Sequence, residues 1–145
     1  MFQGRFPHTI DAKGRLSIPA RFREALAARE QRTLYLLESD DYLTAFPPHE
    51  WQQMEAKIRE RGTLRPEVRV FLRNVYSGAV ETEVDRSGRI LIPQAFRETA
   101  GLTRDVMIVG TMNRFEIWSK ERWEHQQRGR VGQREEMMDN LAEYL

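Results

Sequence analysis

The chain has 145 residues and no cysteine, so neither a disulfide framework nor a thiolate metal site is available to it. Its three histidines, His8, His49 and His125, fall in separate segments without ligand-like spacing, which predicts ordinary polar or turn roles and no metal centre. No apolar run approaches the roughly 18 residues that a membrane-spanning helix needs, and "MFQGRFPHTI" lacks the apolar stretch of a secretion signal. The expectation is a cytoplasmic protein without membrane contact. Ser/His/Asp sets are also missing, and "GRVG" at Gly129 is too short to cradle a phosphate. Neither catalytic nor cofactor-binding residues are predicted.

Net charge is nearly absent too, at +1, but its distribution is uneven. Residues 1–29 carry Arg5, Lys13, Arg15, Arg21, Arg23 and Arg29 against only Asp11 and Glu24, a local net of +4 that points to a polyanion partner at this end. Hydrophobic residues make up 40% and charged residues 31%, the composition of a chain that folds around a core.

What the sequence does contain is one loop written twice. "DAKGRLSIP" begins at Asp11 and "DRSGRILIP" at Asp85, 74 positions later, and residues 11–24 and 85–98 agree at eight of fourteen positions. Average composition gives roughly one match by chance. The similarity extends backward, with Phe2, Gly4 and Ile10 opposite Tyr76, Gly78 and Val84. It also extends forward, with Leu34, Leu36, Phe46 and Trp51 opposite Val106, Ile108, Trp118 and Trp123. Two copies are too few for a solenoid and predict a pseudo-symmetric pair sharing one core.

Each copy reads as strand, tight turn, strand, short helix and two more strands. Asp11 and Asp85 suit the head of the turn, where a carboxylate bonds nearby backbone, and Gly14 and Gly88 suit its left-handed position. Leu16 and Ile18 alternate with Arg15 and Ser17, so a period-two strand buries the first pair and turns Arg15 outward. Pro19 with Phe22 and Leu26, and Pro93 with Phe96, predict short amphipathic helices. Between the copies, Trp51, Met54 and Ile58 share a helical face, Gly62 marks a stop and Pro66 a restart. The expected organisation is a first unit over 1–51, a helical connector over 52–74, a second unit over 75–123 and a helical tail over 124–145. In that tail, "RGRVGQREE" reads as a weak helix or loop before an apolar face of Met138, Leu141 and Leu145.

The paired "DAKGR" and "DRSGR" loops, each followed by an Ile-Pro step and a short helix with Phe, resemble the MraZ family of bacterial proteins. The opening "MFQGRFPHTIDAKGRLSIPARFR" is also similar to that family's start. The resemblance implies an α+β fold in which two AbrB-like units interlock as a swapped-hairpin small β-barrel. It further implies a DNA-binding transcriptional regulator of a division and cell-wall gene cluster. Such a protein acts on direct repeats upstream of its own operon, in the cytoplasm at the nucleoid. Its partners are double-stranded DNA and itself, as a homo-oligomeric ring, an octamer or a dodecamer.

On that reading the DNA-binding candidates are Arg15, Lys13, Arg89, Arg86 and Arg5, with Asp11, Gly14, Asp85 and Gly88 shaping the loops. The alternative for Arg15 and Arg89 is an ion pair that merely pins each turn, but an exposed pair contributes only about 0–1 kcal/mol. An outward guanidinium suits a phosphate or the O6 and N7 edge of guanine. For Arg21, Arg23 and Arg97 a solvated helix face is the expectation, and for Trp51, Trp118 and Trp123 core packing. The second copy, with three arginines against four acids over residues 75–100, is the weaker DNA contact.

Two other classes compete. An antitoxin-like interaction module would grip a partner with residues 124–145, and an enzyme would use Asp11 and Asp85 as a carboxylate pair. Both aspartates stand where a turn already demands Asp, which argues against catalysis.

Overall fold

The computed structural model describes every residue from Met1 to Leu145. Alternating burial along Phe2–Thr9 forms the first strand, β1, and the turn at Asp11 leads into β2 (Arg15–Ser17). Helix α1 (Ala20–Ala27) starts after Pro19 and buries Phe22 and Leu26 at the expected spacing. Strands β3 (Thr33–Glu38) and β4 (Leu43–Phe46) then form a hairpin. The second copy repeats the order: β5 (Val80–Glu83), β6 (Arg89–Leu91), α4 (Gln94–Thr99), β7 (Asp105–Met112) and β8 (Phe115–Ser119).

The connector is two helices, α2 (Pro48–Arg61) and α3 (Pro66–Asn74), followed by a single 3₁₀ turn at Tyr76–Gly78. Gly62 ends α2 at φ 97°, and Pro66 opens α3 at a position where its missing N–H is harmless. Two tail helices follow, α5 (Lys120–Gly129) and α6 (Arg134–Ala142). No helix is long and apolar enough to cross a membrane.

Strands from the two copies exchange partners. All pairings are antiparallel, in a six-stranded sheet of order β1-β7-β8-β4-β3-β5 and a separate two-stranded ribbon of β2 and β6. Thus β1 of the first copy pairs with β7 of the second, and β5 of the second pairs with β3 of the first. In the ribbon, Leu16 stands opposite Ile90, and both are buried with Ile18 and Ile92. These four side chains join one core of 19 residues drawn from both copies, including Phe22, Leu36, Ile108 and Phe115. The shared core expected from two small copies is therefore present, since neither unit covers its own apolar strands.

A second cluster fastens the connector to the outer face of the sheet. Trp51 is sandwiched between Tyr35 and Tyr76, with ring centroids 5.0 and 5.4 Å apart and planes nearly parallel. Trp118 stacks on Tyr42 at 4.6 Å and meets Trp123 edge-on at 5.6 Å. All three tryptophans are thus engaged in packing.

Candidate nucleic-acid interface

The site begins with two turns of the same chemistry. Asp11 Oδ1 accepts the backbone N–H groups of Lys13 and Arg15, each at 2.9 Å, and Asp85 Oδ1 accepts those of Ser87 at 2.8 Å and Arg89 at 2.9 Å. Gly14 and Gly88 donate back to the Asp carbonyls and adopt φ of 86° and 76°, a region that costs other residues about 1–2 kcal/mol.

Each turn is braced by the opposite copy. Ile92 N–H donates to the Gly14 carbonyl and Ile18 N–H to the Gly88 carbonyl, both at 2.8 Å. Arg97 lies over Gly14 while its Nε donates to the Ile92 carbonyl at 3.0 Å. In the same way Arg23 lies over Gly88 and donates to the Ile18 carbonyl at 3.1 Å. The expectation of a purely solvated face for Arg23 and Arg97 is therefore corrected: both helices aim an arginine into the space that the other copy's glycine leaves open. Sequence reading missed this because the glycine and its arginine belong to different copies.

A Cβ at Gly14 would stand 2.8 Å from the Ile92 carbonyl oxygen, whereas a Cβ at Gly88 would meet mainly the flexible Arg23 side chain, at 2.5 Å. Both alanine substitutions carry the left-handed strain, but only Gly14→Ala collides with backbone. Gly14→Ala should cost about 2–4 kcal/mol and Gly88→Ala about 1–2 kcal/mol, with the order readable from urea denaturation midpoints.

The braced turns bring Arg15 and Arg89 together at Asp11. Arg15 Nε donates to Asp11 Oδ2 at 2.8 Å, leaving both terminal guanidinium nitrogens without a protein partner. Arg89 is held more loosely, with Nε 3.6 Å from Asp85 Oδ2 and Nη1 3.9 Å from Asp11 Oδ2. Its Nε is buried and makes no hydrogen bond. Lys13 and Arg86 are exposed in the turns, as a phosphate contact requires. Arg5 is not part of this group; its guanidinium lies 5.3 Å over the Trp123 ring of α5.

The aspartates are held as anions. Asp11 is lowered to about 2, chiefly by the Arg15 backbone N–H, and Asp85 is lowered chiefly by that of Arg89. For a carboxyl depressed in the folded state, the stabilisation is complete above its ordinary 3.8 and is lost as the pH falls toward 2. Thermal midpoints of the wild type should therefore drop across that window. Asp11→Asn should show a shallower drop, which differential scanning fluorimetry at several pH values would register.

The family model described as "MraZ protein, putative antitoxin-like" matches residues 1–74 and, a second time, residues 75–141. The chain belongs to the MraZ family. Its two matched segments meet at the boundary between Asn74 and Val75, where the connector gives way to the second copy. Curated relatives similar along the whole chain carry the name "Transcriptional regulator MraZ". One from Desulforamulus reducens is 43% identical over 145 residues, covering all of both chains. One from Moorella thermoacetica is 44% identical over 144 residues, covering 99% of each. A third, from Desulfitobacterium hafniense, is 45% identical over 145 residues, covering this whole chain and 96% of the relative. In this MraZ family chain the doubled turn faces outward from a core that both copies build.

Proposed function

We propose that this chain is a sequence-specific, DNA-binding transcriptional regulator that meets DNA with the outer face of the β2–β6 ribbon and its two turns. The observation that carries the reading is the convergence of Arg15 and Arg89 on one exposed face, with the terminal nitrogens of Arg15 free. A planar two-donor fork suits guanine O6 and N7 or a phosphate. Lys13 and Arg86 flank it, and Asp11 holds Arg15 in place. The names of the relatives support the same reading.

The cross-pairing of β1 with β7 and β3 with β5 supports a swapped-hairpin arrangement of two AbrB-like units, divided at 1–51, 52–74, 75–123 and 124–145. A single chain of net +1 neutralises few phosphates and binds weakly. A homo-oligomeric ring that presents the face repeatedly makes the second contact effectively intramolecular. From the family resemblance, we take direct repeats upstream of the chain's own division and cell-wall gene cluster, on the nucleoid, as its target.

Fluorescence anisotropy across a salt series tests this with a duplex from immediately upstream of the gene and a scrambled duplex of equal composition. Preference for the native duplex that persists at moderate salt is the expected result. Equal, steeply salt-sensitive binding to both would reduce the face to a basic patch and overturn sequence specificity. A second reading, a protein-interaction module, is favoured by α6. That helix buries none of its residues and exposes Met137, Met138 and Leu141. Loss of a co-purifying protein without loss of DNA binding, on removal of residues 130–145, would support it.

A further inference from the structure

The ribbon's outer face carries four side chains, and they are not the set that exact repetition would produce. Arg15 stands opposite Leu91, and Ser17 stands opposite Arg89. Leu16 and Ile90 between them point into the core, so these four point outward. In the repeat, Ser17 and Leu91 are equivalent positions. One arginine therefore has an aliphatic neighbour and the other a hydroxyl.

Leu91 is 54% exposed, although its chain neighbours Ile90 and Ile92 are fully buried. A protein-docking surface would extend the apolar patch over several hundred Å². Here the other outward side chains of the ribbon are Arg15, Ser17 and Arg89. An isolated leucine between guanidinium groups has one natural complement on a polyanion. The major groove admits a two-stranded ribbon and presents the C5-methyl of thymine as its apolar feature, whereas the minor groove presents no methyl.

We propose that Leu91 is a specificity-determining residue that packs on a thymine methyl while Arg15 beside it engages the adjacent base edge or phosphate. Ser17, at the equivalent position, offers a hydroxyl to a different base pair. The two ends of the ribbon thus read unlike base pairs, and the site of one chain is not a palindrome. This inference rests on the DNA-binding reading above.

The test replaces each thymine of the upstream duplex in turn by deoxyuridine, which removes only the methyl. Binding of the wild type and of Leu91→Ser is measured by anisotropy. One or two replacements should weaken wild-type binding about fourfold, the effect of one buried methyl group. Leu91→Ser should bind the native duplex correspondingly less well and be indifferent to the same replacements, while keeping its dependence on Arg15. Wild-type indifference to every replacement would overturn the proposal, as would unchanged sensitivity in Leu91→Ser. A changed sedimentation coefficient for Leu91→Ser would overturn it too, by assigning the leucine to a contact between subunits. Absence of any preference for the native duplex would instead strike the regulator reading itself, so the two failures are distinguishable.

Discussion

Arg15→Ala should fold normally and lose specific DNA binding. In the folded chain the substitution removes one part-exposed ion pair with Asp11, a contribution of about 0–1 kcal/mol. The backbone bonds that shape the turn, from Lys13 and Arg15 to Asp11 Oδ1, do not involve the side chain lost. The thermal midpoint should therefore move by only a few degrees. On the DNA side each arginine contact is worth about 1–3 kcal/mol. On the proposed reading, two subunits engaging two repeats lose it twice, a fall of about 30-fold to 20,000-fold in affinity. Without its arginine, Asp11 keeps only the longer 3.9 Å contact with Arg89 and turns a less compensated negative charge outward.

Arg15→Lys keeps the charge but not the fork, so it should restore salt-sensitive binding without the preference for the native duplex. Arg89→Ala should have the smaller effect, because its Nε is buried and its Nη1 lies toward Asp11. Anisotropy on the four proteins, with sedimentation to check assembly, measures all of this. Retained specific binding by an intact Arg15→Ala assembly would remove the arginine from the interface.

The turns were legible in the sequence because their chemistry is local. An Asp at the head and a Gly three residues on are enough to place the carboxylate on two backbone N–H groups and the glycine at positive φ. Period-two alternation likewise decided that Arg15 faces out and Leu16 faces in. Alternation says which face is buried but not which strand lies alongside. The pairing of Leu16 with Ile90 joins residues 74 apart, and β1 finds its partner in β7. For the same reason Arg23 and Arg97 read as surface charges, since nothing near them in the chain announces the glycine they cover. Charge alone singles out Arg5 in the sequence, and its place on Trp123 depends on a helix more than a hundred residues away. Nothing in the sequence marks Leu91, since an exposed leucine is ordinary until the register sets it beside Arg15.

Phe22→Ala should be the most destabilising of these substitutions, and it tests whether the two copies form one cooperative unit. Phe22 is 1% exposed and touches three rings: Phe2 at 5.1 Å and Phe6 at 5.2 Å, both edge-on from β1, and Phe115 at 5.1 Å from β8. Helix α1 of the first copy is thereby tied to the last strand of the second. Truncation leaves a cavity in the shared core and costs about 3–5 kcal/mol, a large part of the roughly 5–15 kcal/mol that stabilises a domain. The thermal midpoint should fall by about 6–20 °C.

Its repeat counterpart Phe96 is also buried but makes no aromatic pair, so Phe96→Ala lacks the extra ~0.5–1.5 kcal/mol that each ring pair adds and should sit at the lower end of the range. In urea, both variants should lower the midpoint without changing the slope, because the same surface is exposed in one transition. Two resolved transitions in Phe22→Ala would mean that each copy holds part of its structure alone. That result would contradict the cross-pairing of β1 with β7 and β3 with β5 as the basis of stability. A single transition at lower urea would show that the paired turns are held by a core neither copy can form by itself.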